Sequence, residues 1–283
     1  MHIHFLGVGL AVLSMLFFSV TYASYKVCSS YLPNTHAIFF QSLMSWVIIL
    51  PFALKNGVKS LISPVLGKIF ARTAFGILSL YCITRALKTA GLAEVITLSN
   101  TSPLFVPLIL WFLHKVKISL RLFIGLFIGF IGVWIIFEPG FKEIHVELAL
   151  AFLSGVFSAF LVVLTPLIAH EPFRRIMFYY FLFFWLALLP FVFLEWTPFS
   201  SIAWLYITLA AITMIVGQVS FTMAARYATA KEIAPTLYTS VIFSAIIDWL
   251  IWNKTPSLVS TVGMIVVCIG GLVTMNFTKK RVR

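Results

Sequence analysis

Residues 98–110 read L-S-N-T-S-P-L-F-V-P-L-I-L. Ser99, Asn100, Thr101 and Ser102 bring three hydroxyls and an amide into a run, Ala93–Leu113, that is otherwise apolar. Pro103 and Pro107 each lack an amide hydrogen, so a helix through them leaves the carbonyls near 99 and 103 without donors. Freed backbone groups inside a bilayer are tolerated where they are packed in protein or line a wet cavity. The chemistry on offer is therefore non-covalent: recognition of a polar solute inside a membrane. Glu94, Thr97 and Thr101 fall on one helical face, and Asn100, Pro103 and Pro107 on another. A second stretch, Tyr238-Thr239-Ser240-Val241-Ile242-Phe243, is also polar first and apolar after. Asp248 follows it, and an acid in a span costs about 2.5–3.5 kcal/mol on insertion scales, so it should face the bundle interior. Arg85, Glu94 and Asp248 are the gating or coupling candidates. Asp248 is expected either to pair with a cation, Arg85 being the nearest in depth, or to bind a proton or a cationic part of the solute.

Other chemistries lack their residues. Cys28, Cys82 and Cys268 are scattered, without a disulfide framework or zinc spacing. His36, His114, His145 and His170 fit no metal-ligand pattern, and His2-x-His4 stands without a third ligand. No Walker A sequence occurs, so ATP hydrolysis is not expected. A polytopic enzyme would need carboxylates or histidines clustered at one membrane face, and none is seen. The expectation is a non-enzyme without cofactor or metal.

Other polar and aromatic residues inside apolar runs complete the candidate binding set. Gln41 and Gln218 are amides within spans. Trp46, Trp185, Tyr22, Tyr81 and Tyr238 lie inside spans, whereas membrane aromatics favour the interfaces. Asn100, Thr101, Tyr238 and Ser240 are expected to line a central, water-accessible cavity near the midplane, and Thr97, Gln41, Gln218 and the other aromatics are candidates for contact with an organic solute.

The elements that must carry these residues are membrane helices. Of 283 residues, 61% are hydrophobic and 10% charged, and the mean hydropathy is +1.07. Soluble domains are about 25% charged. Crossing the hydrocarbon takes roughly 20 apolar residues. Ten runs qualify: about 5–25, 35–54, 70–89, 93–113, 120–137, 147–168, 176–194, 202–224, 232–252 and 258–277. Of the 20 Lys and Arg residues, all but Lys26, Arg85, Lys88, Lys142 and Lys254 fall on one side of this scheme. That side is cytoplasmic by the positive-inside rule, and it holds both ends of the chain. The net charge of +12 is read as topology and not as nucleic-acid binding.

The chain repeats itself. L-A-V-L-S-M-L-F at 10–17 matches L-A-F-L-S-G-V-F at 150–157. Trp46, Leu50, Pro51 and Phe52 match Trp185, Leu189, Pro190 and Phe191. Thr89-Ala90 match Thr229-Ala230, and Gly125 and Gly132 match Gly263 and Gly270. The offset stays within 138–140. Two five-helix units, 1–140 and 141–283, follow. Because five is odd, the second enters the membrane from the other side, and substrate is expected near the midplane between inverted units. The glycines of helices 5 and 10 permit close contact, and their matched positions favour internal packing over dimerisation.

R-A-L-K-T-A-G-L-A-E-V-I-T-L-S-N-T-S-P-L-F (85–105) and A-R-Y-A-T-A-K-E-I-A-P-T-L-Y-T-S-V-I-F-S-A-I-I-D-W-L (225–250) resemble the signatures of the drug/metabolite transporter superfamily, EamA type. The resemblance implies a ten-helix secondary transporter of small organic solutes, by exchange or with protons, in the inner membrane. An amino acid or related metabolite is the first expectation, and an S-adenosylmethionine or nucleotide-type exchanger the alternative. Asn253-Lys254 stand where that family often has an acid, so no role is carried to that spot. A non-transporting scaffold or receptor would not need polar residues matched between the units. The expected partners are the solute, membrane lipid, and protons or a counter-substrate, for a monomer or homodimer.

Overall fold

The computed structural model describes residues 2–55, 57–115, 120–137, 146–168, 170–194, 200–228 and 234–278. Lys117, Lys142, Lys231, His145, residues 279–283 and the 229–233 part of the second signature lie outside them.

Eleven α-helices are described: α1 His2–Cys28, α2 Asn34–Leu54, α3 Leu66–Leu87, α4 Leu92–Ser99, α5 Ser102–His114, α6 Leu120–Ile136, α7 Val146–Leu164, α8 Phe173–Leu194, α9 Ser201–Tyr227, α10 Thr239–Trp252 and α11 Leu258–Thr278. Short 3₁₀ turns cover Val58–Leu61, Thr165–Ile168 and Ala234–Tyr238. These apolar sequences become helices because a helix satisfies its backbone within one segment, as hydrocarbon requires. Among the described residues seven spans are long and apolar enough to cross a membrane, with α4 and α5 counted as one, Leu92–Leu113. Three shorter apolar helices lie within Leu122–Ile136, Thr236–Trp252 and Leu258–Val273.

Two helices are interrupted where the sequence is polar. α4 stops at Ser99, and Asn100 and Thr101 bridge to α5, whose first turn holds Pro103. α10 is preceded by the tight Ala234–Tyr238 turn. Both broken elements also end alike. Lys115 closes α5 at φ 51° and Asn253 closes α10 at φ 51°, the two non-glycine residues with positive φ among those described.

Packing runs between the two halves of the chain. α1 lies on α9, α3 on α7, α2 on α8, α4 on α10 and α6 on α11. The α6–α11 contact is a glycine seam. A Cβ on Gly270 would overlap the Gly129 backbone and approach Gly125 O, and one on Gly132 would lie 2.5 Å from Val267 N and 2.8 Å from Gly263 O. Small residues let backbones meet where dispersion, not water, drives association. The core joins Ile38, Phe39, Leu87, Leu92, Val95, Leu98, Ile136 and Phe184.

Candidate functional site

The helix break places Asn100 against the other half of the chain. Its amide Nδ2 donates to Ser240 Oγ at 2.8 Å and approaches Leu237 O at 3.4 Å. The two residues are 140 positions apart, which is the offset of the sequence repeat. Ser240 Oγ donates in turn to Leu237 O at 2.6 Å, and Ser19 Oγ donates to Ser240 O at 3.2 Å. On the other flank Ser99 Oγ shares a 2.7 Å hydrogen bond with Ser154 Oγ. Gly155 makes room there: a Cβ on it would meet the Thr101 hydroxyl and lie 2.8 Å from Leu98 O and 3.3 Å from Ser99 O. The carbonyls near the proline break are therefore packed against a bare stretch of α7.

The sequence places Asn100, Thr101, Tyr238 and Ser240 in an open cavity; in this structure they are packed. Asn100 and Ser240 meet where α4 passes α10; Thr101, Tyr238 and Ser240 are buried and Asn100 is half-buried. Thr101 Oγ1 donates to Leu98 O at 2.6 Å, and Thr97 Oγ1 to Ala93 O at 2.7 Å. Hydroxyls that bond back to their own helix need no water. The Tyr238 hydroxyl is pressed against Gly271.

Asp248 differs from expectation in its partner. Its Oδ1 accepts from Lys26 Nζ at 2.7 Å and its Oδ2 from the Ala93 amide at 3.0 Å. Arg85 is not the cation: it is exposed on α3, and the contact between α1 and α10 brings the last turn of α1 to Asp248 instead. Lys26 also lies 4.5 Å from the centroid of the Trp252 ring. The acid is 2% exposed and the lysine 9%. Ala93 belongs to the first turn of α4, so the carboxylate caps the positive end of that helix while it neutralises a cation. One side chain thus ties α10 to α1 and to α4.

Glu94 lines a cavity of about 420 Å³ next to this pair, with Glu147, Asp248, Lys254, Ser257 and Ser260. Arg85 and Tyr81 share a different cavity, also about 420 Å³, with Lys88 and Asn34. Neither residue reaches the Asn100 crossing. Trp46 and Trp185 pack on each other with centroids 5.8 Å apart. Gln41 is buried in α2; its Oε1 accepts from Tyr25 at 2.7 Å and its Nε2 donates to Ser45 at 2.8 Å. Gln218 is half-buried on α9, and no hydrogen bond among the described residues joins its side chain to the others.

Three contributors were missed in the sequence: Lys26, Tyr25 and Arg72. In the sequence Lys26 and Arg72 stand only as flanking charges. Lys26 was findable, since the end of the first run and the end of the ninth share one depth. Arg72 sits inside the Leu66–Leu87 span with its guanidinium over Tyr180.

The family model described as the EamA-like transporter family matches the chain over residues 5–138 and again over 145–276. The pseudopaline exporter CntI of Pseudomonas aeruginosa strain UCBPP-PA14 is 28% identical over 97% of both chains. The S-adenosylmethionine uptake transporter of Rickettsia prowazekii is 23% identical over 97% of this chain and 94% of that protein. A solved crystal structure covers 98% of this chain and 99% of its own, with a TM-score of 0.67 at 16% identity, a likeness of fold alone.

Proposed function

The chain belongs to the EamA-like transporter family, and from that premise we propose that it is a secondary transporter. It moves a small organic solute across the inner membrane by alternating access, with ten spans arranged as two inverted five-helix units and both ends of the chain cytoplasmic. The observation that carries this reading is the Asn100–Ser240 hydrogen bond. Residues equivalent by the repeat can touch each other only near an axis that relates the units, and inverted-repeat transporters hold substrate on that axis. The helix pairs support it too. Moving each helix to its repeat partner turns the α1–α9 contact into the α7–α3 contact, and maps α2–α8, α4–α10 and α6–α11 onto themselves.

The packed crossing is then the closed state of the path. Separating α4 from α10 breaks the neutral Asn100–Ser240 bond and the Ala93–Asp248 bond, and exposes the Asn100 amide, the Ser240 hydroxyl and the carbonyls beside them to a solute. Thr97, Thr101, Tyr238, Gln41, Gln218, Trp46 and Trp185 belong to the surrounding wall, and Tyr81 to an entry cavity. Asp248, Glu94 and Arg85 lie toward the extracytoplasmic end, where the Lys26–Asp248 pair serves as the gate. The proposed solute is an amino acid or related metabolite. An S-adenosylmethionine or nucleotide-type metabolite is favoured second, by the name of the Rickettsia relative.

The test is a metabolite screen by thermal shift on the purified protein, followed by flux of the hits in proteoliposomes. The relatives are named for export and for uptake, so both directions are measured. Saturable flux that Asn100→Ala reduces supports the reading. Absence of flux for every metabolite that binds would sink it. A C-terminal alkaline-phosphatase fusion that is active would overturn the proposed orientation.

A further inference from the structure

The two cavities of about 420 Å³ differ in charge. The one beside Asp248 is lined by three carboxylates and one lysine. The other is lined by Arg85 and Lys88 and by no described carboxylate. Neither of these cations makes an ion pair among the described residues. Ser29, Thr35 and Tyr81 bring hydroxyls to the same cavity. The start of α2 lies there too. Pro33 precedes it, no side chain caps it, and the Asn34 amide donates instead to Thr84 O at 2.7 Å. The positive end of that helix therefore adds to the two cations. Such a lining fits an oxyanion, which takes charge-assisted hydrogen bonds from a guanidinium and an ammonium.

The flank of the cavity shows what carries the oxyanion. Arg85 and Lys88 end a stripe of α3 that begins with Leu78 and Tyr81. Steps of three, four and three residues keep all four on one helical face, and all four are exposed. On α8, which packs against α3, Phe191 and Leu194 line the same cavity and are 56% and 80% exposed. Both helices are membrane spans, so these apolar side chains meet hydrocarbon. The cations stand at the end of the span, in and just after the last turn of α3. The surface thus runs from apolar to cationic along the membrane normal, in the order in which a phospholipid presents its chains and its phosphate. Basic pockets between membrane helices take anionic headgroups in this way. A hydrated free anion would gain nothing from the apolar stripe.

We infer that this cavity is a binding site for an anionic phospholipid, with the phosphate on Arg85 and Lys88 and an acyl chain along the exposed apolar faces of α3 and α8. The inference needs the membrane spans and not the transport reading. Palmitoyl-oleoyl phosphatidylglycerol is the probe. It is titrated into full-length protein, delipidated in detergent, and bound lipid is read by native mass spectrometry. Phosphatidylcholine with the same chains binds severalfold more weakly, because its choline finds no carboxylate in the cavity. The corresponding diacylglycerol, which lacks the phosphate, binds at least about tenfold more weakly. Arg85→Gln and Lys88→Gln each weaken the tightest phosphatidylglycerol about fivefold, and together roughly thirtyfold. Both side chains are exposed, and surface substitutions of this kind leave the fold intact. If the double variant does not purify, Phe191→Ala/Leu194→Ala serves. It weakens phosphatidylglycerol severalfold through lost apolar contact.

Wild-type retention of phosphatidylglycerol by Arg85→Gln/Lys88→Gln, or by Phe191→Ala/Leu194→Ala, overturns the site. So does equal binding of phosphatidylglycerol and diacylglycerol. Lys55→Gln/Lys59→Gln, past the opposite end of α2, controls for general attraction of anionic lipid to cations, and an equal loss there overturns the site as well. Binding of sn-glycerol 3-phosphate as tight as that of phosphatidylglycerol overturns the lipid in favour of a free anion.

Discussion

Of the polar contacts that cross between the halves of this protein, two are built on opposite principles. The Asn100–Ser240 contact is neutral and joins residues that correspond by the repeat. The Lys26–Asp248 contact is ionic and joins residues that do not: Asp248 corresponds to Leu108 by the offset of 140, and Lys26 to Pro166. A contact on a symmetry axis can be made twice from one sequence pattern, with small polar groups whose loss costs little. A contact away from the axis needs two independent residues. It repays that only if one end of the bundle must behave unlike the other. The difference teaches that the centre of the molecule is joined by a weak neutral bond, and one end by a buried ion pair.

The largest expected effect tests the ionic contact. Asp248→Asn leaves the Lys26 ammonium buried without a counter-charge and weakens the cap of α4, so it should lower stability by roughly 3–5 kcal/mol, the usual cost of breaking a buried pair. Adding Lys26→Met to Asp248→Asn should recover most of that loss. Thermal unfolding in detergent reads both. An Asp248→Asn protein as stable as the wild type would break the comparison, because the pair would then carry nothing.

Gly132 and Gly270 offer a symmetric control. Each sits at the α6–α11 seam, where a side chain would overlap the facing backbone. Gly132→Val and Gly270→Val should each cost about 1–3 kcal/mol through overpacking, and by similar amounts. Unequal losses would show that the seam is less symmetric than its sequence.

The neutral contact should be worth less. A double-mutant cycle on Asn100→Ala and Ser240→Ala should give a coupling of about 0.6 kcal/mol, with an upper bound near 1.7, as for interhelical hydrogen bonds elsewhere in membranes. Flux should fall much further than stability. Coupling above the ionic pair's would reverse the comparison. Least of all, Thr97→Val should change stability by no more than about 0.5 kcal/mol, because the Thr97 hydroxyl serves only its own helix. A cysteine at 101 should resist membrane-impermeant thiol reagents in the closed state and react when a transported solute is present.

The sequence by itself determined the class and the repeat. The 10% of charged residues leaves no surface for a soluble fold, and apolar runs of that length must be helices, since only a helix keeps its own hydrogen bonds in lipid. Pro103 and Pro107 made the break near Asn100 legible, because a missing amide hydrogen is a local property. What the sequence did not determine was which faces turn inward and who pairs with whom. Periodicity gives depth along a helix but not its neighbours, so expected depth put Arg85 first as the cation for Asp248, and only the packing of α1 on α10 brings Lys26 there instead. The same limit hid Arg72, read as a flanking charge because charges near span ends usually reach water. Only the approach of α3, α7 and α8 places its guanidinium over Tyr180. And only close packing decided that the hydroxyls at 97 and 101 turn back on their own backbone, because in a dry interior a threonine bonds to the nearest carbonyl.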